Sequence, residues 1–194
     1  ELLEERTGIP TVAIVPMRRH RLPEEDAFHH RGEPVPGRIN VALLLFPYAS
    51  NLDEFDPLIH TPGVAVSPIG TRASLAGYDA IILPGSTNTE ASLRHLRAQG
   101  LADEIVRAAG AGTAILGVCG GLQMLGRELR DPTGLEGGDI AGLGLLDVTT
   151  TLAADKITRQ RSIPWDGGSI EGYEIHHGRT EPGPLAEAWL LDGL

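Results

Sequence analysis

Residues 113–126 read TAILGVCGGLQMLG. The run at 113–118 is apolar, as is typical of a strand covered on both faces, and the apolar residues from Leu122 onward indicate the start of a helix. Between them, the G-V-C-G-G turn matches the nucleophile elbow, in which glycines allow a strained turn to present the central side chain. The stretch therefore predicts a strand, a sharp turn and a helix, with Cys119 at the tip of the turn.

The predicted turn gives Cys119 a chemical role. At the amino end of a helix the aligned peptide dipoles favour a thiolate, so we expect a lowered thiol pKa. The backbone N–H of Gly120 would point to where an oxyanion forms. A lone cysteine is more often an inert buried residue, but the strand–turn–helix context favours a nucleophile.

A second turn, LPGSTNT at residues 83–89, follows another predicted strand. In a parallel sheet the carboxyl ends of neighbouring strands meet at one edge, so this turn should lie beside Cys119. There, Gly85 and Ser86 could supply a second backbone N–H to the same oxyanion. A simpler interpretation, compatible with the first, is that Asn88 or Thr89 caps the helix that follows.

The fold class follows from the alternation of elements. Apolar runs at 39–46, 78–83 and 113–118 predict buried strands, while 89–99 and 101–110 carry apolar residues at helical spacing. Strands that alternate with helices form parallel sheets. We therefore predict an α/β fold with a mostly parallel, open, flavodoxin-like sheet and helices on both faces.

The amino-terminal part of the chain has a different character. Residues 11–15 predict a short strand, and 16–37, rich in Arg, His, Glu and Pro, predict a linker. This pattern is typical of the tail of another domain, so we expect two parts: 1–37 as a tail with a linker, and 38–194 as the main domain.

Composition excludes several classes of function. A formal net charge of −10 opposes general binding to nucleic acid or anionic membranes. The single cysteine excludes an intramolecular disulfide and any multi-cysteine metal site, and it favours a reducing, cytoplasmic location. Residues 112–117 have P-loop glycine spacing but lack the Lys and Ser/Thr that should follow, and no H-E-x-x-H motif occurs. We expect no cofactor and no metal in this chain.

A polar cluster follows later in the chain. Residues 148–152 and 170–176 predict further strands, and in the second strand Glu174 and His176, two apart, share a face. A carboxylate there could orient an imidazole, although a lone strand histidine is more often structural.

Three motifs in order carry a resemblance: the elbow with Gln123 four residues after the cysteine, PGSTNT at 84–89, and GYEIHHGRT at 172–180. Together they resemble the class I, or triad, glutamine amidotransferases, and among these the domain of the cobyric acid synthase family. Further matching pieces are SNLDEFDPL at 50–58, DPTGLE at 131–136 and GLGLL at 142–146. The first 30 residues resemble the end of that family's ATP-dependent synthetase domain.

The resemblance implies glutamine hydrolysis that supplies ammonia. Cys119 would attack the glutamine side-chain amide, Gly120 with Gly85 and Ser86 would hold the oxyanion, and Gln123 would help to bind glutamine. The ammonia would pass to the synthetase domain, where ATP and Mg²⁺ support amidation of carboxylates on a corrinoid, adenosylcobyrinic acid a,c-diamide.

The resemblance has one departure. The family's catalytic histidine lies in a later motif of the Y-L-H-G type, and the sequence reaches Leu194 without it. His176 is the best substitute within the chain, although Gly178 stands where a His-x-Glu order would place the acid. Tyr173 and Glu174 belong to the family motif without an assigned role. We expect the isolated chain to be alkylated at Cys119 but to turn over glutamine poorly.

Three alternatives remain open at this point. The chain could be the glutaminase domain of the related cobyrinic acid a,c-diamide synthase, or another cysteine hydrolase on the same fold, such as a peptidase-like protein. Gln123 and the turn at 84–89 argue against the second. The third alternative is a catalytically incomplete module that binds a partner.

Overall fold

The computed structural model describes residues 2–10, 33–165 and 168–187. The predicted strand at 11–15 and most of the predicted linker at 16–37 lie outside these ranges. The elements in chain order are α1 (Leu2–Thr7), β1 (Ile39–Leu44), β2 (Ala49–Ser50), a 3₁₀ helix (Leu52–Phe55), α2 (Asp56–Ile59), β3 (Val64–Ile69), β4 (Ala80–Leu83), β5 (Gly85–Ser86), α3 (Thr89–Ala98), α4 (Leu101–Gly110), β6 (Ala114–Gly117), α5 (Gly120–Leu125), β7 (Glu128–Arg130), β8 (Ile140–Ala141), β9 (Val148–Trp165) and β10 (Gly168–Pro182).

The main sheet has four parallel strands in the order β3-β1-β4-β6. Alternate residues of β1 point to opposite faces, because side chains alternate along a strand. Val41 and Leu43 join one buried cluster with Phe55. Ala42 and Leu44 join a second cluster, to which α3, α4 and α5 contribute. The predicted α/β sheet with helices on both faces is confirmed.

Two strands differ from the sequence prediction. β3 was not predicted, because its sequence VAVSPI contains Pro68 and its burial is incomplete; proline is tolerated there since β3 lies at the sheet edge. β6 was predicted as covered on both faces, and that is wrong. It lies at the opposite edge of the described sheet, and the Leu116 side chain is 48% exposed.

A second sheet, in the order β10-β9-β7-β8, packs beside the first. β9 pairs with β7 only over residues 149–151, whereas it pairs with β10 along almost its whole length. The two long strands thus form a hairpin that extends past the rest of their sheet. The later strands predicted at 148–152 and 170–176 exist, but the first is only the beginning of β9 and the second only part of β10.

Within the described ranges, none of the helices combines the length and the apolar character needed to cross a lipid bilayer.

Candidate active site

Cys119 lies on a strained turn at the carboxyl end of β6. Its backbone has φ 49° and ψ −109°, a conformation that side-chain-bearing residues rarely adopt. Both flanking glycines are required by close approaches. A methyl group on Gly117 would lie 2.6 Å from the backbone nitrogen of Leu122, and one on Gly121 would lie 2.0 Å from the carbonyl oxygen of Leu83. The predicted strand, turn and helix are confirmed.

The turn after β4 meets the elbow. β4 and β6 are paired, with Leu83 opposite Gly117. A methyl group on Gly85 would lie 3.9 Å from Cβ of Cys119. One on Gly120 would lie 2.9 Å from the backbone nitrogen of Ser86. The backbone of the two turns is therefore in contact beside the thiol, as the parallel sheet predicted.

Side chains of the second turn hold its backbone in place through hydrogen bonds. The Ser86 hydroxyl hydrogen-bonds the Ser92 hydroxyl at 2.8 Å and accepts from the Asn88 N–H at 3.1 Å. Asn88 caps α3, since its side-chain oxygen accepts from the Ala91 N–H at 2.8 Å. The capping role and the backbone position of Ser86 are thus compatible.

Gln123 joins three of the motifs that the sequence singled out. Its side chain is buried, and its Oε1 accepts a hydrogen bond from the Thr89 hydroxyl at 3.2 Å. Gly178 on β10 packs against its amide, because a methyl group there would lie 2.4 Å from Nε2. The elbow, the PGSTNT turn and the GYEIHHGRT strand therefore meet at this one side chain.

The electrostatic environment of the thiol differs from the expectation. Burial raises the pKa of Cys119, and the negative charges of Glu54 and Glu136 raise it further. A hydrogen bond from the Gly120 N–H and the positive charge of Lys156 act in the opposite direction. The net pKa is raised, so the lowered pKa predicted from the helix position is wrong. Part of the Cys119 surface is open to solvent, but the protein atoms around the thiol still disfavour its charged form. At the start of α5, the hydrogen bond from the Gly120 N–H favours the thiolate less than burial disfavours it.

The loop after β7 delivers Glu136 to the site. Buried Asp131 accepts backbone N–H groups from residues 135–138. Although burial opposes ionisation, these four hydrogen bonds hold the pKa of Asp131 below its ordinary value. The loop so fixed places the Glu136 carboxylate at the start of α3, where it accepts from the Thr89 N–H at 2.5 Å and the Glu90 N–H at 3.4 Å.

The imidazole of His176 is held by its neighbours on β10. Its Nε2 faces Oε1 of Glu174 at 2.9 Å, and its Nδ1 faces the carbonyl oxygen of Gly178 at 2.6 Å. The predicted orientation of the imidazole by a carboxylate is therefore present. In the part of the chain that the structure describes, however, no hydrogen bond joins His176 to Cys119, and its role as a base stays a prediction.

Glu174 belongs to an ionic cluster on the β9–β10 hairpin. Its carboxylate accepts a hydrogen bond from Arg159 at 2.6 Å, and Arg161 lies 3.5 Å away. The bond from Arg159, assisted by His176, lowers the pKa of Glu174 to about 2. Tyr173, which the family motif also contains, is 77% exposed and points into solvent.

Sequence reasoning missed Glu54, Glu136 and Lys156. Glu54 lies in the 3₁₀ helix, Glu136 on a loop and Lys156 on the hairpin, and only the packing of the whole domain brings their charges near the thiol. The D-P-T-G turn signal at 131–134 was available, but it does not show where the loop docks. Over residues 2–10, 33–165 and 168–187, no group of three or more His, Cys, Asp or Glu side chains could hold a metal ion.

Residues 40–191 match the family described as the CobB/CobQ-like glutamine amidotransferase domain. The chain belongs to this family. Curated relatives of this amidotransferase domain include a protein of Deinococcus radiodurans named cobyric acid synthase, 48% identical over an alignment that spans 100% of this chain and 42% of that protein. Another, the cobyric acid synthase of Acaryochloris marina, is 41% identical over 98% of this chain and 42% of its own length. The chain therefore spans less than half the length of these relatives.

Solved structures share the fold of the amidotransferase domain. A crystal structure of a glutamine amidotransferase superposes with a TM-score of 0.58 at 20% identity, covering 74% of this chain and 75% of that one. The structure of PurLQS from Thermotoga maritima gives a TM-score of 0.56 at 20% identity, over 76% and 71% of the two chains.

Proposed function

We propose that this chain is the glutamine-hydrolysing domain of a cobyric acid synthase, and that Cys119 is its nucleophile. One observation carries the assignment of the nucleophile. Cys119 has a strained backbone at the tip of a glycine-containing turn, and this turn packs so closely against the Gly85–Ser86 turn that side chains on its glycines would not fit. The high identity to cobyric acid synthases supports the choice of acceptor chemistry.

The hydrolysis proceeds through a thioester. The sulfur of Cys119 adds to the side-chain amide carbon of glutamine, and the carbonyl oxygen becomes an oxyanion. Backbone N–H groups of Gly120 and of the Gly85–Ser86 turn stabilise this oxyanion, a contribution of roughly 3–4 kcal/mol for each donor in comparable sites. The C–N bond then breaks, ammonia leaves, and water hydrolyses the glutamyl thioester to glutamate and the free thiol.

The raised pKa of Cys119 adds a requirement. A protonated thiol attacks poorly, so a base must accept its proton, and the same proton can then go to the departing nitrogen. We retain His176 as the candidate within the chain, and its side chain would have to leave its contacts with Glu174 and Gly178.

Gln123 acts by fixing the pocket in which glutamine binds. Because its buried amide connects Thr89 to Gly178, it sets the distance between the second turn and the β10 strand. We propose that substrate glutamine binds on the open side of Cys119, between these segments.

The ammonia is consumed by a synthetase domain, in which ATP and Mg²⁺ activate carboxylates of the corrinoid adenosylcobyrinic acid a,c-diamide for amidation. We place the reaction in the cytoplasm, where the free thiol stays reduced.

The test uses the complete parent protein with ATP, Mg²⁺, this corrinoid and glutamine labelled with ¹⁵N in the side-chain amide. We expect ¹⁵N in the corrinoid amides. Cys119→Ala should abolish amidation from glutamine while leaving amidation from added ammonium salt. Amidation from glutamine that survives Cys119→Ala would refute the assignment of the nucleophile, and amidation of a different acceptor class would refute the choice of substrate.

A further inference from the structure

The 3₁₀ helix at Leu52–Phe55 is held against the elbow. Leu52 and Phe55 pack into the same apolar cluster as Val118, the residue that precedes the cysteine. In a 3₁₀ helix residues three apart share a side, so these two anchors leave Asp53 and Glu54 on the other sides, where both are exposed.

Backbone strain fixes the entry to this helix. Ser50 pairs with Gly85 across β2 and β5, and Asn51 then turns the chain with a φ of 55°. Asparagine tolerates this left-handed conformation better than most residues, but it remains uncommon outside glycine. The strained turn leads from β2, which pairs with the second turn of the site, into the 3₁₀ helix, and thereby sets where Glu54 stands.

The two carboxylates whose charges act on the thiol differ in whether they already have hydrogen-bond partners. The carboxylate of Glu136 is occupied by the backbone N–H groups at the start of α3. No hydrogen bond or ion pair to a described residue engages the side chain of Glu54, yet its charge acts on the Cys119 sulfur. Lys156, on β9, acts on the same sulfur with the opposite sign.

We propose that Glu54 binds the α-ammonium group of the glutamine substrate and so selects for α-amino acids with a free amino group. The inference rests on the proposed glutaminase function. Glutamine carries its ammonium and carboxylate on a carbon three bonds from the amide carbon that Cys119 attacks, so both charges arrive close to the sulfur. Glu54 stands on a helix that packs with Val118 and follows a strand paired with Gly85, so its carboxylate complements the ammonium end of this zwitterion.

The arrangement also has a consequence for reactivity. An unneutralised carboxylate beside the thiol disfavours the thiolate. When a substrate ammonium neutralises Glu54, this effect is cancelled, and the sulfur becomes easier to ionise only while an amino acid is bound. Glu54 is therefore a specificity-determining residue that also couples binding to activation.

The experiment measures adduct formation at Cys119 by mass spectrometry with two diazo ketones: 6-diazo-5-oxo-norleucine, and 6-diazo-5-oxohexanoic acid, which lacks the amino group. The concentration dependence of each rate separates binding from the limiting rate. Iodoacetamide, which carries no charge, reports on the thiol itself. The variants are Glu54→Gln, the conservative Glu54→Asp, and Asp53→Asn as the matched control, since Asp53 is the exposed neighbour in the same helix.

We expect the wild-type chain to prefer the amino-bearing reagent, and Glu54→Gln to lose this preference by about tenfold or more through weaker binding, corresponding to about 1.4 kcal/mol. Glu54→Asp should retain part of the preference and Asp53→Asn all of it. Iodoacetamide should react with Glu54→Gln at least as fast as with wild type, and an unchanged midpoint of urea unfolding should show that the variant is folded.

If Glu54→Gln prefers the amino-bearing reagent as strongly as the wild-type chain does, the role of Glu54 is refuted and the proposed function still stands. A wild-type chain that reacts with iodoacetamide but with neither diazo ketone would instead refute the proposed glutaminase site, and this inference with it.

Discussion

Gly121→Ala is the sharpest test of the packing that builds the elbow. The added methyl group would lie 2.0 Å from the carbonyl oxygen of Leu83, 2.7 Å from its carbonyl carbon and 2.9 Å from the carbonyl oxygen of Pro84. All three are backbone atoms at the end of a strand in the main sheet, so no side-chain rotation can relieve the contact. Either α5 moves away from β4, or the strand end deforms.

Overpacking in a well-packed core costs about 1–3 kcal/mol, and a backbone clash of this size belongs at the upper end. We therefore expect Gly121→Ala to lower the free energy of unfolding by about 3 kcal/mol. With an m-value of roughly 2 kcal/mol/M, the midpoint of urea unfolding should fall by about 1.5 M.

The matched control is Gly110→Ala, the same change at the last residue of α4. A methyl group there meets no atom within 4 Å. Because alanine favours the helix over glycine, this variant should be neutral or more stable by up to about 1 kcal/mol. Urea unfolding followed by circular dichroism measures both. If Gly121→Ala unfolds within about 0.5 kcal/mol of wild type, the close approach between α5 and β4 is wrong.

Three further predictions concern charged groups. Asp131→Asn should lower the free energy of unfolding by about 1–3 kcal/mol in urea titrations, because the amide cannot accept four N–H groups without turning its own N–H donors toward them; an unchanged midpoint would contradict the loop geometry. The contribution of Glu174 to stability should be fully present above pH 4.5 and lost as pH falls toward 2, because its pKa is lowered in the folded state; thermal unfolding of Glu174→Gln should show a shallower pH dependence in that window, and identical slopes would count against the ion pairs. Alkylation of Cys119 by iodoacetamide should rise with pH through a midpoint above that of a free cysteine, and Lys156→Gln should slow it at neutral pH; a midpoint below the free thiol would contradict the raised pKa.

Much of the main sheet could be predicted because its strands are buried. The apolar runs at 39–46 and 78–83 correspond to β1 and β4, and the helical spacing at 89–99 and 101–110 to α3 and α4. Burial on both faces produces continuous apolar runs, which are a strong signal.

The full length of the long hairpin could not be predicted, because its strands lack such burial. β9 and β10 are mostly solvent-exposed, so no apolar face marks where they begin and end. Backbone pairing between two polar strands leaves little trace in the sequence, so only the segments at 148–152, which includes buried Leu152, and 170–176 could be predicted.

The contact between the two turns of the site was predictable, because parallel strands place their carboxyl ends at one edge. The charges near the thiol were not. Glu54 reaches the site on a 3₁₀ helix and Glu136 on a loop, and the position of each depends on packing far along the chain. The raised pKa of Cys119 follows from burial and these charges more than from its place at the start of α5.

The most direct test of the central claim is mass spectrometry of the chain after incubation with 6-diazo-5-oxo-norleucine, with Cys119→Ala as the control. We predict one adduct, located on Cys119, that excess glutamine prevents and that Cys119→Ala does not form. Absence of the adduct while iodoacetamide still modifies Cys119, or an adduct that glutamine does not prevent, would contradict a glutamine site at this cysteine.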